Sequence, residues 1–250
     1  MNPLKAAPAS QLVFVTSVSR LDVLQRRLHA SPCIRDGRCT LSAWFNTSSA
    51  ADGFNAAQRS LASARDSTWL VWVHQDVFLP GDWDVQFLQA LRGAQAVIPN
   101  LAVAGVYGVA GTGAKTLRAG HVLDRGTLLR ESAPLPHAVD SLDELLIAVR
   151  ADSGLELDAA LGFDFYGTDL VLQAHDKGMR AAVVDAYCEH WSDTPSGPDI
   201  PQKMAERIVR NGRAFEAKWA HRMPLQSSWL AMNAAGDVER FIAGLRAGAA

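Results

Sequence analysis

The chain reads as an α/β protein built on a mostly parallel central sheet with helices on both faces. Three observations point there. Residues 12–15 and 69–73 are short, continuous apolar runs of strand length, and 41–45 is a strand candidate that is apolar but for Ser42. Helix-like segments, 21–29 and the Ala-rich 55–65, separate them. Hydrophobic residues make up 48% of the 250, enough for a sizeable core. Strands that alternate with helices and are apolar throughout belong to sheets buried on both sides.

Each element follows from local residue chemistry. The first run ends at Thr16-Ser17, and Pro32 is expected to close the helix that follows. A polar loop is expected over 46–53. The run 69–73 has five large apolar or β-branched residues and stops at His74-Gln75-Asp76. Further on, 82–91 suits a helix and 103–110 a strand. Two strands are expected within 116–129, joined near Asp124-Arg125-Gly126. The segment 142–149 is apolar around Asp143-Glu144. A helix is expected over 168–177, with Thr168 as N-cap and Gly178 at its end, then a strand over 179–184. Residues 201–220 and 226–246 look helical, with Pro201 and Pro224 as breaks. The Ala/Gly-rich 243–250 is expected to fray. No internal repeat stands out.

Composition narrows the function. A formal net charge of −2 argues against nucleic acid as partner. Cys33, Cys39 and Cys188 are odd in number and lack a Cys-x-x-Cys spacing, which disfavours a disulfide framework or structural zinc. A reducing, cytoplasmic compartment is the expectation. Residues 1–11 carry one Lys and no apolar core, unlike a signal peptide. No stretch approaches the roughly 20 apolar residues of a membrane span, so any membrane contact is expected to be peripheral.

Several residues can carry chemistry. In His74-Gln75-Asp76 an imidazole and a carboxylate emerge where an apolar strand meets solvent, which suits manganese or another divalent ion better than calcium. Taken alone the triplet also suits a solvated turn. His190, in Tyr187-Cys188-Glu189-His190-Trp191, falls just past a strand as well. Asp158, Asp164 and Asp169 cluster among Phe163, Phe165 and Tyr166. Asp169 suits a general base shielded by aromatics, or simply an acid favoured in a first helical turn. The Gly-rich 105–116 misses the phosphate-binding pattern because Ala114 separates the last Gly from Lys115. Trp69 and Trp72 read as core, whereas Trp44 and Trp83 lie near loops, where a sugar could stack.

The ordered pieces carry a resemblance. They are Phe45-Asn46, Asn55-Ala56-Ala57, Val73-His74-Gln75-Asp76-Val77, Gly108-Val109-Ala110-Gly111, Leu142-Asp143-Glu144, Phe163 to Asp169, His190, and Phe215-Glu216-Ala217-Lys218-Trp219. In this order they resemble the family-2-like glycosyltransferases with the GT-A fold, in a bacterial branch whose metal motif reads His-Gln-Asp. The resemblance implies a GT-A-like domain over 1–224 and a helical tail over 225–250. It implies a nucleotide-diphosphate sugar donor, UDP-linked by expectation, an acceptor hydroxyl on a carbohydrate or glycan lipid, and an inverting reaction. It places manganese or magnesium on Asp76 and His190, with His74 standing where the first Asp of Asp-x-Asp usually is. Donor contacts are implied at Thr16, Arg20, Asn46, Asn55, His74 and Gln75. The base is implied at Asp169, after Thr168 rather than the usual Glu, with Asp164 as its rival. Two other readings stay open: a sugar nucleotidyltransferase on the same fold, and a catalytically silent nucleotide- or carbohydrate-binding module.

Overall fold

A computed structural model describes residues 11–61, 68–195 and 197–247. Residues 1–10, the 62–65 end of the expected second helix and 248–250 lie outside that description. The elements run β1 (Gln11–Val18), α1 (Leu21–Arg26), α2 (Pro32–Arg35), β2 (Thr40–Phe45), α3 (Ala50–Ser60), β3 (Thr68–Val73), β4 (Val77–Phe78) and α4 (Trp83–Val97). The middle holds β5 (Leu101–Gly105), β6 (Tyr107–Ala110), β7 (Leu117–Asp124), β8 (Thr127–Arg130), β9 (His137–Ala138), β10 (Ser141–Leu142) and β11 (Leu146–Arg150). Then come α5 (Tyr166–Asp176), β12 (Arg180–Val183), β13 (Cys188–His190), α6 (Gln202–Trp219), β14 (Leu225–Gln226), β15 (Ala231–Met232) and α7 (Asp237–Ala247).

The protein is α/β with mixed sheets and a helical C-terminal region. Seven strands form the central sheet in the order β2-β1-β3-β11-β5-β12-β9. β1 runs parallel to β2 and β3, and β12 parallel to β5. β11 is antiparallel to both β3 and β5, and β9 to β12. The expected mostly parallel sheet is therefore evenly mixed. The cause is the apolar stretch 142–149: its C-terminal half, as β11, inserts against the grain between β3 and β5. A second sheet, β10-β6-β7-β13-β4 with β8 beside β7, leans on the first. The expected single strand over 103–110 divides between these sheets, breaking at Val106.

Burial explains why the central strands are apolar throughout. On β3, Trp69, Val71 and Val73 join one core, with Leu79, Trp83, Phe87 and Leu91. Leu70 and Trp72 join the other, with Phe54, Ala57, Leu170 and Val171. Successive side chains point to opposite faces, and here both faces are covered, by α4 on one side and by α3 and α5 on the other. Trp69, Trp72 and Trp83 are all buried, which removes Trp83 from the sugar-stacking candidates.

Helix boundaries moved for identifiable reasons. α3 begins five residues before the expected Asn55, inside the expected loop, because Ser49 and Asp52 form a capping box. Pro32 opens α2 rather than closing the preceding helix, since its missing N–H costs nothing in a first turn. α5 begins at Tyr166 after Phe165, whose φ is 64°. Thr168 is thus inside the helix, buried, with its hydroxyl 2.8 Å from that of Ser141. Residues 226–246 are a β14–β15 hairpin followed by α7, not one helix. That tail packs on α6, where a third core gathers Phe215, Trp219, Met232, Val238 and Ile242. The three cysteines are free. Among the described residues, no helix is long and apolar enough to cross a membrane.

Candidate metal centre

β1, β2 and β3 are parallel, so their carboxyl ends open on one side. In open α/β sheets this is where ligands bind. The chain after these ends, Ser17 to Ser19, Phe45 to Thr47 and His74 to Asp76, lines a cavity of about 1240 Å³. Its opposite wall comes from Glu144, Phe163, Asp164, Tyr166, His190 and the start of α6.

The second sheet delivers the third donor. β13 lies between β4 and β7, pairing His190 with Val77 on one side and with Asp124 on the other. That register sets His190 beside Asp76. The Trp191 N–H donates to the Asp76 carbonyl at 3.0 Å and fixes the join. His74, Asp76 and His190 offer one ligand atom each, all within 4.8 Å of one another. The His74 and His190 rings are 5.6 Å apart.

Hydrogen bonds orient both imidazoles. His190 Nδ1 is 2.7 Å from Asp124 Oδ1, and its Nε2 is 3.4 Å from Asp76 Oδ1. A carboxylate on one ring nitrogen aims the other at a cation, the usual support for a metal-bound imidazole. His74 Nε2 lies 2.9 Å from the Tyr166 hydroxyl. Trp72 Nε1 donates to the same hydroxyl, which donates to the Glu144 carbonyl at 3.1 Å. The backbone N–H of His74 donates to Leu145 O at 3.0 Å.

The electrostatics suit a cation. Burial lowers the pKa of His74, keeping it neutral near pH 7. Burial also opposes ionisation of Asp76, but the His190 contact and both imidazoles outweigh it and hold its carboxyl at about 2. Burial works against a charge on His190 too, yet Asp124 and Asp76 raise it to about 9. Two imidazoles and one carboxylate fit a borderline divalent ion better than calcium, which prefers six to eight oxygens. Such a set accommodates manganese, iron(II) or zinc.

Among the sequence-derived site residues, His74, Gln75, Asp76, His190, Asn46 and Asp164 line the cavity. Gln75 also ties β3 to β1, accepting from the Ser19 and Arg20 N–H groups and donating to Ser19 Oγ. Four residues stand elsewhere. Thr16 is buried within β1. The Arg20 side chain pairs with Asp22 and Asp193 and does not line the cavity. Asn55 holds both backbone polar groups of Leu157. Asp169 is 0% exposed and engaged by Lys218, Trp219 Nε1 and Gln173 Nε2 at 2.6–2.7 Å. Its carboxylate anchors α6 to α5 and does not reach the cavity.

Other contributors were missed. Asp124 was legible only as part of a turn, and nothing local couples it to His190, 66 residues away. Arg125, Lys203 and Arg207 bring positive charge to the cavity. The Gly-rich loop is also settled. The Gly111 N–H donates to Asp140 Oδ2, so a carboxylate already occupies the place a phosphate would need.

No protein-family model matches the chain. A curated relative, "ATP synthase subunits region ORF 6" of Fuscovulum blasticum, is 27% identical over 169 residues, spanning 64% of this chain and 68% of that protein. Its name states no reaction, ligand or substrate.

Proposed function

We propose that the protein is a metal-dependent glycosyltransferase of the GT-A type, taking a sugar from a nucleotide diphosphate, UDP in the first instance, to an acceptor hydroxyl with inversion. One observation carries the reading: His74, Asp76 and His190 converge at the carboxyl end of a central strand, in a cavity with room for a nucleotide sugar. A divalent ion there, manganese in the first instance, would offset the charge that develops on the departing diphosphate. Asp76 and the two imidazoles would hold it. Arg125 and Lys203 add positive charge to the walls, and Lys203 has no ion-pair partner among the described residues. Phe45, 53% exposed and lining the cavity beside Leu21, offers an apolar face to a nucleoside.

The test is thermal shift and calorimetry with UDP, UDP-sugars and manganese. Ligand that binds only the native state raises apparent stability by mass action. Manganese-dependent UDP affinity that disappears in Asp76→Ala supports the reading. Equal affinity with and without manganese, or in the variant, overturns it. The withdrawal of Asp169 from the cavity favours a second reading, a nucleotide-binding module without catalysis. Manganese-dependent release of UDP from a UDP-sugar separates the two.

A further inference from the structure

Three carboxyl groups line the cavity, and two are spoken for. Asp76 belongs to the candidate metal centre. Asp164 accepts from Arg207 Nε and Nη2 at 3.0 and 2.9 Å and from Asn211 Nδ2 at 2.7 Å. Glu144 differs. Its one side-chain hydrogen bond among the described residues is a 3.3 Å contact from the Gly167 N–H, and no cation pairs with it. Glu144 is half-buried at the cavity wall, and a carboxyl group partly withdrawn from water without a counter-ion costs stability, so its retention asks for a purpose.

The surroundings hold this group in place. The Glu144 carbonyl accepts from the Tyr166 hydroxyl, and the next carbonyl, of Leu145, accepts from the His74 N–H. The Glu144 backbone is therefore fastened to the strand end that carries His74 and Asp76. Gly167 leaves the side chain its room. A Cβ at that position would come within 3.1 Å of Glu144 Cγ and 2.4 Å of the Leu142 carbonyl oxygen.

We propose that Glu144 is the catalytic residue that accepts the proton of the acceptor hydroxyl, a role that rests on the glycosyltransferase reading above. The acceptor oxygen forms a bond to the anomeric carbon. The bond from that carbon to the diphosphate oxygen breaks, and its electron pair leaves with the diphosphate. The hydroxyl proton passes to a Glu144 carboxylate oxygen. Burial first, then the charge of Asp164, raises the Glu144 pKa well above the usual carboxylate range, in the direction that makes a carboxylate a better base near neutral pH. The groups facing it are Asp143 from its own loop, Asp164 from the turn before α5, Tyr166 from the first position of α5, and Arg207 from α6.

The test compares Glu144→Gln, Glu144→Asp and Asp169→Asn with the wild type in three measurements on the full chain. The first is manganese-dependent UDP affinity. The second is UDP release from a panel of UDP-sugars with sugar acceptors or water, per folded molecule. The third is the thermal midpoint from pH 5 to 8. Glu144→Gln should keep UDP affinity within about threefold and lose at least about 10²-fold in turnover. Glu144→Asp should retain part of the rate, and Asp169→Asn most of it. Glu144→Gln should also gain in midpoint over the wild type as pH rises, because it removes a carboxylate that the fold disfavours when ionised. A residue held for structure would lower the midpoint instead. An active wild type matched by an equally active Glu144→Gln overturns the assignment while leaving the reading intact. So does a Glu144→Gln variant that is less stable at every pH. A wild type without manganese-dependent UDP binding fails at the earlier step and takes both down.

Discussion

His74 Nε2 and the Tyr166 hydroxyl lie 2.9 Å apart, and this contact decides which imidazole nitrogen keeps a lone pair. Trp72 Nε1 can only donate to the hydroxyl, and the Glu144 carbonyl can only accept from it. The phenolic proton is thus committed to Glu144, and His74 Nε2 must be the donor in its own contact. In the neutral ring that leaves Nδ1 unprotonated, the nitrogen free to bind a cation.

Tyr166→Phe removes this arrangement without removing the ring. Metal affinity should fall by about 10- to 100-fold, the usual scale for losing an outer partner of a ligating imidazole. The variant also leaves buried Trp72 Nε1 without an acceptor, at about 1–3 kcal/mol of folding stability. Cobalt(II) or manganese titration of the folded variant checks the first effect, and chemical denaturation the second. Wild-type metal affinity would leave Tyr166 with a packing role only.

Metal binding should depend on pH through His190. With its pKa raised to about 9 by Asp124 and Asp76, His190 carries a proton at pH 7 that a cation must displace. His74, lowered, and Asp76, at about 2, have no proton to lose there. Affinity should rise about tenfold per pH unit up to about 9. His190→Ala should weaken binding and flatten the slope. Without metal, the sign for folding is opposite. The raised pKa contributes stability that is complete below the ordinary histidine value of about 6.5 and is lost as pH rises through about 9. Calorimetry in buffers of different protonation enthalpy counts the released proton. A count of zero at pH 7 would reject this assignment.

Asp169 should behave as a structural anchor. Asp169→Ala leaves Lys218, one-third exposed, and the buried Trp219 Nε1 without their shared acceptor. The expected cost is about 3 kcal/mol, the low end for breaking a buried pair because Lys218 keeps Asp158 at 2.8 Å and reaches water. Urea denaturation measures it. Manganese and UDP affinity of the folded variant should equal the wild type's. A loss of affinity at unchanged stability would return Asp169 to the site.

The C-terminal tail packs on α6 most tightly at Gly212. A Cβ on Gly212 would meet Val238 Cγ1 at 2.4 Å and Val238 Cβ at 2.8 Å. Gly212→Ala should push α7 off α6, costing about 1–3 kcal/mol and exposing residues 225–247 to protease first. The Gly212→Ala, Val238→Ala double variant should recover part of the loss. Limited proteolysis with mass spectrometry reads the order of cleavage. Unchanged protection would show that the tail tolerates the added methyl.

Much of this protein was legible locally. Apolar runs of strand length mark β1 and β3, because a strand buried on both faces must be apolar at every position, and helical spacers set off the half-exposed edge strand β2. Their ends then mark where His74, Gln75 and Asp76 meet solvent. Asp124-Arg125-Gly126 marked the β7–β8 turn for a similar reason, since Arg125 and Gly126 take positive φ there. What tertiary structure decided is pairing across long separations. β11 and β12 are both apolar, and only the sheet order makes one antiparallel and the other parallel to β5. Asp164 and Asp169 are both acids in one aromatic cluster. Yet α6, some 40–50 residues on, supplies Arg207 and Asn211 to one at the cavity wall, and Lys218 and Trp219 to the other away from it. Glu144, passed over as part of an apolar stretch, is the cavity-lining carboxyl without a counter-ion among the described residues. Local propensity reports a residue's own backbone and near neighbours; a carboxylate's charge, burial and proton affinity are set by whatever the fold brings against it.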